Sequence, residues 1–166
     1  SCEEFLAAAC EAFGLALPEV SSLKSLTDTL HHFLAQNHSV GRRSILMVDE
    51  AQHLALDVLE QVRLLTNLET DTQKLLQIVL IGQPELMAKL NKPELRQLNQ
   101  RITGRYKLGA LSLEETRQYV EHRLAVAGMA PGVSPFSKSS IQTIHEKTGG
   151  VPRLINLLCD RILLAL

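Results

Sequence analysis

The chain has 166 residues, 45% of them hydrophobic, and a formal net charge of −1 at pH 7. This length fits one domain or one core with a small subdomain, and the near-neutral charge gives no electrostatic basis for nucleic-acid binding over the whole surface. No apolar run reaches the roughly 18 residues of a membrane span, so we expect a cytoplasmic protein. Cys2, Cys10 and Cys159 lack metal-ligand spacing and are predicted to be buried free thiols.

Helices and apolar strands alternate over the first part of the chain. A first helix opens at Ser1 with Glu4 at capping-box spacing, and a second covers "SLKSLTDTLHHFLAQN". The segments "SILMV" and "LQIVLIG" are apolar throughout, which is typical of strands buried on both faces of a parallel sheet. The helix "LDVLEQVRLLTNLE" lies between them, and Pro84 is predicted to open a short helix after the second strand.

The remainder of the chain is mainly helical. The segment "RYKLGAL" is predicted to form a short edge-like strand. Ser112 and Glu115 make a second capping box, and two further helices cover "SKSSIQTIHEKTGG" and "VPRLINLLCDRILLAL". The pattern therefore predicts an α/β core over residues 1–110 and a small all-helical lid subdomain over residues 111–166.

Two carboxylates follow the first apolar strand in the stretch "ILMVDEAQHL". Open α/β sheets keep their ligand crevice at the carboxyl ends of parallel strands. There, Asp49 can hold Mg²⁺ through its water shell and Glu50 can orient or deprotonate an attacking water. The alternative is a strand-terminal Asp that caps the following helix, and this stretch alone leaves both interpretations open.

Three other groups of polar residues bear on this choice. Gln83 follows the second strand and can position the same water, or simply bond local loop backbone. Arg101 and Arg105 precede the predicted edge strand, where they serve either a phosphate or surface ion pairs. Arg153 lies in the first turn of the last helix, which is unfavourable with the helix dipole unless a phosphate is its partner or the side chain points to solvent.

In this order the motifs resemble the AAA+ ATPases, members of the P-loop NTPase class. The segments "VDEAQHL", "LLQIVLIGQPEL", "LRQLNQRITGRYKLGALSLEET" and "GGVPRLINLLCDR" are similar to the ExeA/GspA group of the general (type II) secretion pathway and to its pilus-biogenesis relative MshM. The resemblance implies ATP and Mg²⁺ as cofactors, with the following roles: Asp49 and Glu50 in Walker B, Gln83 as sensor 1, Arg101 or Arg105 as arginine finger in trans, and Arg153 as sensor 2.

The chain departs from that pattern because it has no GxxxxGK[ST] loop to cradle phosphates. None of its nine glycines is followed by Lys, and "GRRS" at residues 41–44 precedes a strand instead of following one. We therefore expect a fragment that lacks the P-loop and the strands beside it, and that alone neither binds ATP well nor hydrolyses it. Uncovered strand edges and apolar surface would then favour self-association as a dimer or ring.

The resemblance implies that the full protein couples ATP hydrolysis to assembly of a secretion or pilus complex in the envelope, reaching the membrane only through partners or other regions. A TniB-type transposition helper and a non-catalytic interaction scaffold remain alternatives, although the charge disfavours a DNA partner. The histidines support no metal site: His31, His32 and His38 are expected to face solvent. His53 follows the acids closely enough to line their site, but the sequence favours a residue that does not take part in it.

Overall fold

The computed structural model describes residues 1–69, 73–130 and 132–165, in two compact units that comprise Ser1–Arg105 and Tyr106–Leu166. The division falls five residues before the boundary predicted at 110/111, and Leu166, the predicted end of the second domain, lies outside the described residues. Within the described residues, none of the helices is both long enough and apolar enough to cross a membrane.

The described residues of the first unit form five α-helices and two β-strands. Ser1 and Glu4 form the predicted capping box, and Ser22 caps the second helix. Short 3₁₀ turns follow the first strand and precede the fifth helix. The bounds are α1 Cys2–Ala12, α2 Leu23–Ser39, β1 Ser44–Val48, α3 Leu56–Leu65, β2 Leu76–Leu80, α4 Glu85–Leu90 and α5 Arg96–Arg101, with the turns at Ala51–His53 and Pro93–Leu95.

The two strands pair in parallel, with α3 in the connection between them. Ser44 lies opposite Leu76 and Val48 lies opposite Leu80. Parallel pairing brings the carboxyl ends of both strands to one edge of the sheet. The residues that follow Val48 and those that follow Leu80 are therefore neighbours, although about thirty positions separate them in sequence.

Two apolar clusters stabilise this unit. One packs α1 and α2 against the sheet, and the other packs the 3₁₀ turn after β1, α3, α4 and α5 together. Burying side chains of this size contributes about 1.5–3 kcal/mol each. The fully or almost fully buried members are Leu6, Cys10, Leu26, Leu30, Leu34, Leu59, Val62, Leu65 and Leu95.

The prediction that both faces of the first strand are buried is wrong. Leu46 is buried, but the side chains of Ile45 and Met47 on the opposite face are 50% and 65% exposed. Successive strand residues point to opposite faces, so a helix layer on one side protects only every second residue. No described element of this unit covers the face of Ile45 and Met47, so apolar surface is left uncovered, as expected from the sequence.

The second unit contains three helices, α6 Leu113–Val126, α7 Lys138–Thr148 and α8 Pro152–Leu164. Ser112 and Glu115 form the predicted capping box, and α8 begins with Pro152 at its first position. A small core joins the three helices. Its buried members are Val120, Phe136, Ile141, Ile144, Ile155 and Cys159.

Two adjacent glycines separate α7 from α8, as the sequence predicts. Gly149 has φ +59, and a Cβ there would meet open space. Gly150 has φ +73 and lies against the backbone of Leu111. The amide of Leu111 donates to the carbonyl of Gly150 at 2.9 Å. A Cβ at position 150 would lie 2.0 Å from the carbonyl oxygen of Leu111, so only glycine fits there.

The edge-like strand predicted for "RYKLGAL" is also wrong, because residues 102–112 form neither helix nor strand. Tyr106 is 91% exposed and Leu108 is 84% exposed. A strand needs a neighbour for its backbone ladder, and among the described residues the sheet consists of β1 and β2 alone.

Candidate functional site

Asp49 and Glu50 follow β1 directly, and both side chains are exposed at the carboxyl edge of the sheet. The carboxylate of Asp49 accepts the backbone N–H of Glu50 at 2.8 Å through Oδ1. Helix α3 begins after Ala55 without a side-chain cap, so Asp49 does not cap it. This arrangement leaves the second oxygen of Asp49 without a hydrogen bond from the described residues.

The backbone of Glu50 is in the left-handed region, with φ 50 and ψ 34. It has the one positive φ of a non-glycine residue among the described residues. This conformation costs a residue with a Cβ about 1–2 kcal/mol in free energy. Strain of this kind persists where surrounding contacts fix the backbone, and it is concentrated at functional sites.

Gln83, which follows β2, lies beside Glu50. Its Nε2 donates to Oε2 of Glu50 at 3.5 Å, across the edge of the sheet. Nε2 of His53 lies 3.8 Å from the same oxygen, and His53 is exposed. The geometry thus brings Glu50, Gln83 and His53 together, and Asp49 is adjacent in the chain.

Two residues of this site were missed by the sequence analysis. Gln52 donates through Nε2 to Oε2 of Glu50 and accepts the backbone N–H of Gln83 at 3.1 Å through Oε1. Lys89 on α4 donates to the backbone carbonyl of Gln52, and to that of Leu54 at 2.8 Å. The one sequence signal for Gln52 was its position two residues after Glu50, and nothing in the sequence marks Lys89.

Arg101 and Arg105 lie elsewhere on the first unit. Arg101 ends α5 and donates to the hydroxyl of Thr66 at 2.9 Å, at the carboxyl end of α3. Since α3 begins close to the acids and its ten residues extend about 15 Å, Arg101 lies at the far end of that helix. Arg105 donates to the backbone carbonyl of Asn99 at 3.2 Å and to the Asn99 side chain. Neither arginine makes an ion pair among the described residues.

Arg153 belongs to the second unit, where it is exposed in the first turn of α8. It has no hydrogen bond or ion pair with another described residue of the chain. The 3₁₀ turn and α3 in the first unit likewise leave the second carboxylate oxygen of Asp49 available. Each of these groups is therefore free to bind a ligand, as far as its own unit is concerned.

The remaining titratable candidates are structural. Cys10 and Cys159 are buried, as predicted, and burial raises the pKa of both thiols. Cys2 is half-buried, and burial together with nearby Asp57 raises its pKa. His38 is not solvent-facing as expected, because it is half-buried and 3.0 Å from Oε1 of Gln73.

The described residues contain no cluster of three or more His, Cys, Asp or Glu side chains that would hold a metal by themselves. Exposed carboxylate oxygens with an amide nearby nevertheless fit Mg²⁺, which keeps several waters and uses one or two protein carboxylates. The site is less suited to a triphosphate, because the sequence supplies no glycine-rich loop with a Lys to bind the phosphates.

Residues 1–90, more than half of the chain, match the family model described as "AAA domain". The chain belongs to the AAA domain family. General secretion pathway protein A of Aeromonas hydrophila is 53% identical over 162 residues, which are 98% of this chain and 29% of that protein. The chain thus spans less than a third of the length of this relative. No solved structure matches the chain. The parallel sheet flanked by helices and the helical second unit are those of a partial P-loop NTPase fold.

Proposed function

We propose that the chain is part of an ATPase module of a protein that acts in assembly of a type II secretion or pilus complex. Membership of the AAA domain family and the similarity to general secretion pathway protein A support this proposal. Its partners would be secretion or pilus assembly components and further copies of itself, in the cytoplasm. The observation that carries it is the contact between Glu50 and Gln83 at the carboxyl ends of two parallel strands.

In this proposal each polar group at the sheet edge has a separate task. Asp49 binds Mg²⁺ through its water shell, and Glu50 accepts a proton from the attacking water as the water oxygen bonds to the γ-phosphorus and the bond to ADP breaks. Gln83 donates to the γ-phosphate or to that water. Mg²⁺ supplies neutralisation of the phosphate charge when it is bound.

The arginines are assigned to the phosphate as well. The position of Arg101 at the far end of α3 supports a role in trans, toward the site of a neighbouring copy. Arg105 is the alternative finger, and its bonds to Asn99 would have to open first. Arg153 is assigned to the γ-phosphate in cis on the "GVPR" resemblance and on its free guanidinium.

The absence of a P-loop from these 166 residues sets the expected behaviour of the chain alone. Without a backbone cradle and its Lys, we expect neither tight ATP binding nor hydrolysis, and a cradle supplied from outside these residues would complete the site. Titration of the chain with a labelled nucleotide and Mg²⁺ tests this expectation. Micromolar affinity would contradict it.

The catalytic assignment is tested in the protein at the full length that its gene encodes. Glu50→Gln should lower ATP turnover by at least a hundredfold and leave nucleotide affinity within about twofold, since it removes the base but keeps the shape of the side chain. Glu19→Gln is the matched control, because Glu19 is exposed in the loop between α1 and α2. Unchanged turnover in Glu50→Gln would remove Glu50 from the catalytic residues.

A further inference from the structure

Gln52 is a buried polar side chain whose two ends are both bonded at the candidate site. It is 9% exposed, whereas Glu50 and Gln83 are exposed. Its amide nitrogen donates to the carboxylate of Glu50, and its amide oxygen accepts the backbone N–H of Gln83 at 3.1 Å. A single side chain therefore joins the residue that follows β1 to the residue that follows β2.

The surroundings of Gln52 fix this amide in place. The amide of Ala51 donates to the carbonyl of Ile81 at 2.8 Å, which continues the pairing of the strands beyond their ends. Lys89 binds the carbonyl of Gln52 from the side of α4. A Cβ at Gly82 would lie 2.7 Å from Oε1 of Gln52, so the glycine leaves room for the amide to approach the backbone of β2.

The same contacts determine how the carboxylate of Glu50 is presented. Gln52, Gln83 and His53 all approach one oxygen, Oε2. The other oxygen, Oε1, accepts no hydrogen bond from the described residues. A carboxylate held by one oxygen keeps the second oxygen available as a proton acceptor, and its orientation no longer depends on the rotation of an exposed side chain.

We propose that Gln52 is a positioning residue, which holds Glu50 in its reactive orientation and couples that orientation to Gln83. The inference rests on the proposed ATPase function, since it assigns Gln52 a role in the same site. Gln52 does not touch the reacting atoms. It acts through the carboxylate that it binds and through the backbone amide that it accepts, so a change at Gln83 is transmitted to Glu50 by one side chain.

The substitution Gln52→Glu separates the two bonds in the full-length protein. It keeps the length of the side chain and an oxygen for the amide of Gln83, but it replaces the donor to Glu50 by a second carboxylate. We expect kcat for ATP to fall roughly ten- to a hundredfold with KM within about twofold.

Controls distinguish positioning from a general loss of structure. Gln77→Glu introduces the same charge at an exposed position of β2 and should leave kcat and KM unchanged. Gln52→Ala should lower kcat similarly and accelerate hydrogen exchange at the Gln83 amide, measured by mass spectrometry of the peptide that contains it. Gln52→Glu should keep that amide protected. Wild-type kcat in Gln52→Glu, or unchanged exchange at Gln83 in Gln52→Ala, would overturn the inference.

Glu50→Gln measured in the same assay separates the two proposals. If it abolishes turnover while Gln52→Glu does not alter it, the positioning role of Gln52 fails and the proposed function stands. If Glu50→Gln leaves turnover unchanged, the proposed function fails and the positioning role fails with it. Turnover lost in Glu50→Gln and reduced in Gln52→Glu, with KM within about twofold of wild type, supports both.

Discussion

The two units differ in how far apart in sequence their decisive contacts lie. In the second unit each helix is delimited by residues next to it: Ser112 and Glu115 open α6, Pro152 opens α8, and Gly149 ends α7. The first unit depends on pairing between Ser44–Val48 and Leu76–Leu80. Local signals suffice to place helices, whereas the position of a strand depends on partners that are distant in the chain.

This difference affects the outer surface as well. The sheet of the first unit leaves Ile45 and Met47 exposed on the face that its helices do not cover. The candidate site residues after β1 and β2 are nonetheless held in place, because the loops that follow the two strands hydrogen-bond to each other. We therefore expect a single substitution to change the stability of the unit in which it lies. In the second unit the size of the change depends on how well the new side chain fits its neighbours. In the first unit it depends on whether the residue lies on the face of the sheet that the helices cover.

The largest expected effect is that of Gly150→Ala in the second unit. The new Cβ would lie 2.0 Å from the carbonyl oxygen of Leu111, and the residue has φ +73. Because backbone must move, we expect a loss of about 4 kcal/mol in stability. Hydrogen exchange of the α6, α7 and α8 amides should rise, while that of the first unit stays unchanged.

Gly149→Ala is the matched control, because Gly149 also has a positive φ but no atom lies within 4 Å of the position that its Cβ would occupy. It should cost only about 1 kcal/mol, the conformational cost alone. Equal costs for the two substitutions would show that the contact with Leu111 does not matter. Faster exchange in both units would contradict the separation of the two regions.

A smaller effect is expected for the two faces of β1. Leu46→Ala should cost about 3 kcal/mol because it opens a cavity beneath the helices, whereas Met47→Ala should change stability by less than about 0.5 kcal/mol. Urea unfolding followed at several protein concentrations measures both. A large, concentration-dependent cost for Met47→Ala would contradict this expectation and show that a second copy covers this face.

The smallest expected effect is the acid sensitivity of the second unit. Hydrogen bonds from the backbone N–H and the hydroxyl of Ser112 lower the pKa of Glu115 below its ordinary value of 4.5. A carboxyl group with a lowered pKa stabilises the fold above that value and loses this contribution as the pH falls through its pKa in the folded state. The melting temperature should therefore decline less steeply below pH 4.5 in Glu115→Gln than in the wild-type protein, and equal slopes in the two proteins would contradict this expectation.

Most of the secondary structure follows from short-range patterns in the sequence. Both predicted capping boxes and the α8 start at Pro152 depend on residues within one or two turns, and the two strands were predicted from their continuous apolar runs. The errors concern tertiary context. The exposure of Met47 and the unpaired backbone at Tyr106 depend on which elements are present to cover them, and an apolar segment does not encode that information.

The candidate site shows the same limit. The motif pattern identified Glu50 and Gln83, and the parallel pairing of their strands explains why the two side chains meet. Gln52 and Lys89 could not be found in this way, because their role depends on the geometry of a 3₁₀ turn and on a carbonyl reached from another helix. Residues that hold a site residue in place through hydrogen bonds have no sequence motif of their own.

The left-handed backbone of Glu50 has a consequence for how the protein tolerates change. Glycine or asparagine would occupy φ 50 at lower cost than glutamate does. In the proposed ATPase, the residue that the chemistry needs at position 50 is therefore not the residue that the backbone favours. Replacement of Glu50 by glycine would then stabilise the fold and remove the proposed base.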